Sequence, residues 1–208
     1  MAASGGEAIE AILFDLGGVV FDIDFGRAFA SWGRAAACDP VALRARCRND
    51  DDAGLRYETG RLGDAAYFDS LKTALGVEIS DAALLDGWNA IIGGEMPGIA
   101  AELASAGARW PLYAFSNTNK AHQAFFTERF AAVLGHFRHV FASCDIGLRK
   151  PDAEAFRFVV DAIGVPAGRI LFFDDLAANV DGARACGMTA VRVTSPSTVR
   201  DTVAALVR

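Results

Sequence analysis

No apolar run in this chain approaches the roughly 20 residues that a helix needs to cross a bilayer. The first ten residues, MAASGGEAIE, carry neither a basic start nor a greasy segment, so no export signal is read there. There is no Lys/Arg cluster, and the net charge of -6 lacks the basic face that nucleic-acid binding needs. Four cysteines stand at 38, 47, 144 and 186 without a CxxC or any metal-type pairing, and three histidines, His122, His136 and His139, lack ligand spacing. The cysteine usage is that of reduced thiols in a cytoplasmic protein. The histidines read as helix-face or surface residues. Repeats and low-complexity tracts are absent, and nothing in the pattern encodes an oligomeric state. These absences exclude a membrane span, a nucleic-acid partner, a disulfide framework and a zinc-type site. They leave an enzyme or binding protein for a small molecule.

What is present is a set of short apolar segments: 11–14 (AILF), 111–116 (PLYAFS), 139–143 (HVFAS), 170–173 (ILFF) and 189–193 (TAVRV). Each reads as a strand covered on both faces. Helical patterns lie between them, at 119–134, 151–164, 176–187 and about 196–206, with Pro151 suited to a first turn and Gly164 to a stop. Strands alternating with helices predict an α/β fold, a Rossmann-like parallel sheet of about five strands flanked by helices.

Between the first two strands lie nearly a hundred residues with no convincing strand. Amphipathic spacing and cap signals at Asp39-Pro40, Asp64 and Ser80 predict helices there instead. The chain therefore divides into an α/β core, residues 1–20 plus 97–208, and an inserted all-helical cap, 21–96. The acidic stretch RNDDDAG (48–54) reads as a polar turn. Trp32, Tyr57, Phe68 and Trp88 read as the core of the insert.

Ligands of open parallel sheets sit beyond the carboxyl ends of the strands. The first strand delivers Asp15 there, the second Ser116 and Asn117, and the fourth Asp174 and Asp175, while Lys150 precedes the helix after the third. Three carboxylates gathered in one volume repel one another unless a hard cation such as Mg²⁺ neutralises them. Lys150 and the Ser116 hydroxyl suit the oxygens of a phosphate. Asp15 suits a nucleophile that forms an acyl phosphate.

The segments FDLGGVV, FSNTN, GLRKPD and FFDDLAANVDGARACG resemble, in order, the four motifs of the haloacid dehalogenase-like (HAD) hydrolase superfamily. The resemblance spans the chain, because the helical insert falls where that family carries a mobile cap, and YETGRLGDAAYFDSL looks like part of one. The Asp-Leu-Gly opening followed by FDIDF is similar to bacterial sugar-phosphate phosphatases of the α-D-glucose-1-phosphate phosphatase type. The resemblance implies Asp15 as nucleophile and metal ligand, with the Gly17 carbonyl, Asp174 and Asp175 completing the Mg²⁺ site and Asp175 as the direct ligand of the pair. It implies phosphate binding by Ser116, Asn117 and Lys150, and a small phosphate ester, a sugar phosphate, as substrate.

One position departs from the pattern. Phosphatases of the superfamily carry a second Asp where this chain has Gly17, and that residue serves as general acid and base. Loss of such a group costs about a hundred- to ten-thousandfold. Three readings follow: a phosphatase whose substrate has a good leaving group, such as an anomeric sugar phosphate, or in which Asp22 or Asp24 supplies the proton; a metal-independent 2-haloacid dehalogenase; or a binding or regulatory protein with an impaired site. Asp22 and Asp24 have a competing reading, as members of a hairpin or caps of the helix that follows.

Overall fold

The computed structural model describes residues 8–47 and 51–207. In chain order the elements are β1 (Ala11–Phe14), β2 (Phe21–Ile23), α1 (Gly26–Ala36), α2 (Pro40–Arg46), α3 (Asp51–Glu58), α4 (Asp64–Leu75), α5 (Asp81–Asn89), β3 (Ile92–Glu95), α6 (Ile99–Gly107), β4 (Leu112–Ser116), α7 (Lys120–Arg129), α8 (Ala131–Leu134), β5 (His139–Ala142), α9 (Ser143–Ile146), α10 (Ala153–Ile163), β6 (Ile170–Asp174), α11 (Ala177–Ala185), β7 (Thr189–Arg192) and α12 (Ser197–Ala205). No helix among the described residues is long and apolar enough to cross a membrane.

The five predicted strands form one parallel sheet in the order β5-β4-β1-β6-β7. Their near-continuous apolar sequences follow from burial on both faces. Ile12 and Phe14 of β1 face one core layer with Leu112, Ala114, Leu171 and Phe173, while Ala11 and Leu13 face the other with Phe115, Ile170 and Phe172. With β1 at the centre, the chain first builds outward through β4 and β5, then returns to the other side of β1 for β6 and β7. That reversal opens a crevice at the carboxyl end of β1, where Asp15 stands.

Residues 26–91 are helical, apart from short connections, and pack around a third apolar cluster built on Trp32, Leu43, Leu75, Leu84 and Ile91. Trp32 is its anchor. The ring meets Phe29 edge-on with centroids 5.4 Å apart, and Nε1 donates to the Leu84 carbonyl at 3.0 Å. A fully buried side chain of this kind contributes roughly 1.5–3 kcal/mol by leaving water.

The structure corrects the sequence reading at several points. The insert is not all-helical, because β2 and β3 pair antiparallel at its two ends, with Asp22 opposite Gly94 and Ile23 opposite Ile92. Such short strands, one containing two glycines, have too little periodicity to register in the sequence. In the acidic stretch 48–54, residues 48–50 lie outside the described residues, and the rest opens α3 instead of a turn. Residue 63, a glycine, caps α4, and Asp64 sits in its first turn accepting from the Tyr57 hydroxyl at 2.8 Å. Pro151 precedes its helix; α10 begins at Ala153 with Asp152 as N-cap, and the Lys150–Pro151 peptide is cis.

Candidate active site

The three central strands of the sheet deliver a buried polar residue at their carboxyl ends. Asp15 follows β1 directly, Ser116 ends β4 and Asp174 ends β6, and all three are buried. Lys150 comes from the loop after α9 and is 1% exposed. Its Nζ lies 2.9 Å from Asp15 Oδ1 and 2.8 Å from Asp174 Oδ2, and it stands over the rings of Phe115 and Phe172 at 5.3 and 5.5 Å. Burial opposes the charge on Lys150, but Asp15 and Asp174 outweigh it and hold the ammonium above its ordinary value. Removing one partner from such a buried pair costs far more than the pair contributes.

Asp174 is engaged on both oxygens. Besides Lys150, it accepts from Leu176 N–H at 2.8 Å and from Asn179 Nδ2 at 3.0 Å on each oxygen. Asp175 is half-buried, and burial and the neighbouring Asp174 raise its carboxyl. Asp15 is raised to about 7, first by burial and then by Asp174 and Asp175, against the pull of Lys150. One oxygen from each of Asp15, Asp174 and Asp175 lies within 4.8 Å of the others. Three converging carboxylate oxygens with surplus negative charge are the donor set that a hard divalent cation takes, so the residues fit Mg²⁺. Gly18 makes the approach possible. It has φ +72°, and a Cβ there would lie 2.5 Å from Asp175 Oδ2.

Gly17 sits against β2. A Cβ at this position would meet Ile23 Cγ1 at 3.3 Å, so a larger residue here displaces Ile23. Asp22 and Asp24 are engaged away from the cavity above Asp15. Asp22 pairs with Arg27, and Asp24 Oδ1 accepts from Gly26 N–H at 2.7 Å, where α1 begins. Neither lines the cavity above Asp15. Asn117 also departs from a simple phosphate-binding role. Its Nδ2 donates to the Lys150 carbonyl at 2.8 Å, and its Oδ1 accepts from the Lys150 N–H at 2.9 Å. The side chain clasps the loop that carries the ammonium.

The cavity has a volume of about 410 Å³ and runs from the Asp15 cluster up between the sheet and the helical segment. Sequence reasoning missed several of its walls. Glu58, from the end of α3, faces Arg149 with charges 3.1 Å apart. They are not aligned as a hydrogen bond, and Glu58 Oε2 and Arg149 Nε are buried without one. Burial raises Glu58, against Arg149 and Lys150. Ser143, fully buried, accepts from Thr118 N–H at 2.8 Å and donates to the Glu58 carbonyl at 2.6 Å, fixing α3 to the sheet. His122 stacks on Trp88 with centroids 4.9 Å apart and Nε2 2.9 Å from the Trp88 carbonyl. Burial lowers it to about 4, although that hydrogen bond resists. Trp88 and His122 therefore belong to the cavity wall, and His122 is not a surface residue. The YETG and LRKP segments that carry Glu58 and Arg149 were visible in the sequence, but nothing local shows that they meet.

Comparison with known proteins completes the picture. A family model of haloacid dehalogenase-like hydrolases matches residues 9–187. A stretch of 64 residues is 44% identical to Phosphatase MT3486 of Mycobacterium tuberculosis, covering 31% of this chain and 30% of that protein. Matches to curated relatives take in between 10% and 34% of their lengths. A HAD-family enzyme of Bacteroides thetaiotaomicron, solved as a magnesium complex, superposes with a TM-score of 0.79 at 22% identity, covering 90% of this chain and 94% of that one. The L-2-haloacid dehalogenase of Xanthobacter autotrophicus superposes with a TM-score of 0.65 at 22% identity, covering 89% and 77%. From the order of its strands, the cluster at their carboxyl ends and the match over residues 9–187, the chain belongs to the haloacid dehalogenase-like hydrolases.

Proposed function

We propose that the chain is a Mg²⁺-dependent phosphatase that hydrolyses small phosphomonoesters through an aspartyl-phosphate on Asp15. The observation that carries this reading is the meeting of Asp15, Asp174 and Asp175 around one point, with the Lys150 ammonium between Asp15 and Asp174. Asp15, Asp175 and the Gly17 carbonyl would hold the ion, which when bound supplies charge to offset the carboxylates and the phosphate. Asp174 is already spent on Lys150, Leu176 and Asn179, so its part is to fix the ammonium.

A carboxylate oxygen of Asp15 attacks phosphorus while the bond to the ester oxygen breaks. Lys150 and the Ser116 hydroxyl stabilise the charge on the transferring group. The departing oxygen takes its proton from Glu58, the remaining carboxyl on the cavity wall, which burial keeps above the usual carboxylate range. Water then attacks the phosphoryl group, gives its proton to the ionised Glu58, and releases inorganic phosphate with Asp15 and Glu58 both restored. The segment 21–96 covers the site and excludes bulk water during these steps.

The competing reading, displacement of a halide from carbon by Asp15 without metal, draws on Gly17 but leaves the Asp175 carboxylate without a task. Hydrolysis of p-nitrophenyl phosphate with Mg²⁺ and with a chelator, beside 2-chloropropionate, separates the two. Metal-dependent phosphate release that Asp15→Asn abolishes, with the fold intact by circular dichroism, supports the phosphatase. Metal-independent chloride release refutes it, and silence on both substrates across a panel of phosphate esters points to a binding protein.

A further inference from the structure

The outer wall of the cavity is short of free polar groups. His122 Nε2 faces the Trp88 carbonyl, and His122 Nδ1 lies 3.3 Å from Asn119 Nδ2. Asn119 Oδ1 accepts from His122 N–H at 3.0 Å and from Trp88 Nε1 at 3.4 Å. The heteroatoms of this trio are therefore turned on one another, and what they offer a ligand is ring surface. The rest of the wall is apolar, with Ile23, Ile91, Phe126 and the Trp88 ring inside and Phe25 and Leu176 at the rim. Phe25 and Leu176 are 57% and 55% exposed, two large apolar side chains left in water where a substrate enters. Among the described residues lining the cavity above the floor, Thr118 and the Glu58–Arg149 pair are the polar side chains left to meet a ligand.

A sugar ring entering this space would give up the water on several hydroxyls and find partners for few of them, which disfavours its binding. An alkyl, prenyl or aryl group would lose nothing of that kind and would cover Phe25 and Leu176. Granted the phosphatase reading above, we propose that the site selects phosphomonoesters whose organic part is apolar, in preference to sugar phosphates. The polar floor takes the phosphate, the apolar wall takes the chain, and Glu58 with Arg149 lies between them near the ester oxygen.

The test is the Mg²⁺-supported kcat/KM for ethyl, butyl and hexyl phosphate against glucose 6-phosphate. The alcohols that leave from this series are of similar acidity, so differences report on binding of the organic part. The expected result is a rise of roughly two- to fourfold per added methylene, with hexyl phosphate at least tenfold better than glucose 6-phosphate. In Phe25→Ser and Leu176→Ser the rise per methylene flattens. A flat series, or glucose 6-phosphate as the better substrate, overturns the inference. If p-nitrophenyl phosphate is hydrolysed while the series is flat, the phosphatase reading stands and the apolar preference alone falls. If no ester is hydrolysed, calorimetry of hexyl phosphate and glucose 6-phosphate binding to Asp15→Asn with Mg²⁺ decides. Tighter binding of hexyl phosphate supports the preference, and equal or weaker binding overturns it.

Discussion

Acidifying the protein should expose His122. Its ring is stacked on Trp88 and largely buried, and burial lowers its pKa from 6.5 to about 4. The folded state therefore binds the proton less readily than the unfolded chain. The stability this confers is complete above pH 6.5 and is lost as pH falls toward 4. A difference of that size corresponds to about 3 kcal/mol over the whole interval, at about 1.4 kcal/mol per pH unit. By pH 5 about 2 kcal/mol of it should be gone, and less if the cavity-facing edge of the ring stays hydrated. Other groups titrate in the same range, so the readout is a difference. His122→Gln keeps a hydrogen-bonding side chain and removes the titration. Urea unfolding of both proteins at pH 7 and pH 5 should show wild type losing about 1–2 kcal/mol relative to the variant. Parallel losses, with the gap constant to a few tenths of a kcal/mol, would refute the claim that this ring is held neutral by burial.

Three further outcomes follow from residues lining the same cavity. Lys150→Met strands the buried Asp15 and Asp174 carboxylates, and should lower stability in metal-free buffer by about 3–5 kcal/mol in urea titrations; a loss below 1 kcal/mol would mean that the cage tolerates its own charge. Glu58→Gln should lower kcat on hexyl phosphate by about a hundredfold and on p-nitrophenyl phosphate far less, since nitrophenolate leaves without help. The wild-type kcat on hexyl phosphate should also fall as pH rises through the raised pKa of Glu58, because the acid form is then depleted. Equal losses on both esters would show that Glu58 does not deliver the proton.

The sheet was legible because its strands are buried on both faces, so β1, β4, β5, β6 and β7 each appear as a dense apolar run. That placement brought Asp15, Ser116, Lys150 and the Asp174–Asp175 pair to one end of the sheet on paper. The strands β2 and β3 were not legible, since Phe21–Ile23 is only three residues long and Ile92–Glu95 contains two glycines. They are strands because each finds the other, a fact of long-range pairing. The helix α3 was hidden by the acids at its start, while the burial of Tyr57 in its last turn, and of Thr59 just beyond, decides the matter. The cavity wall was the least visible part. His122 meets Trp88 across 34 residues, and Ser143 meets Glu58 across 85. Such contacts are set by how the helical segment lies on the sheet, and no local pattern encodes that.

The Asn117 amide has a consequence for variation in this chain. Because one carboxamide both donates to the carbonyl and accepts from the N–H of the same residue, Lys150, it behaves as a two-pronged fastener between neighbouring loops. Aspartate has no proton to give, and leucine has neither prong. Lengthening either loop by a residue would unhook the fastener and let the ammonium drift away from its carboxylates. Sequence drift should therefore be tolerated around these two loops far more readily than any change in their lengths.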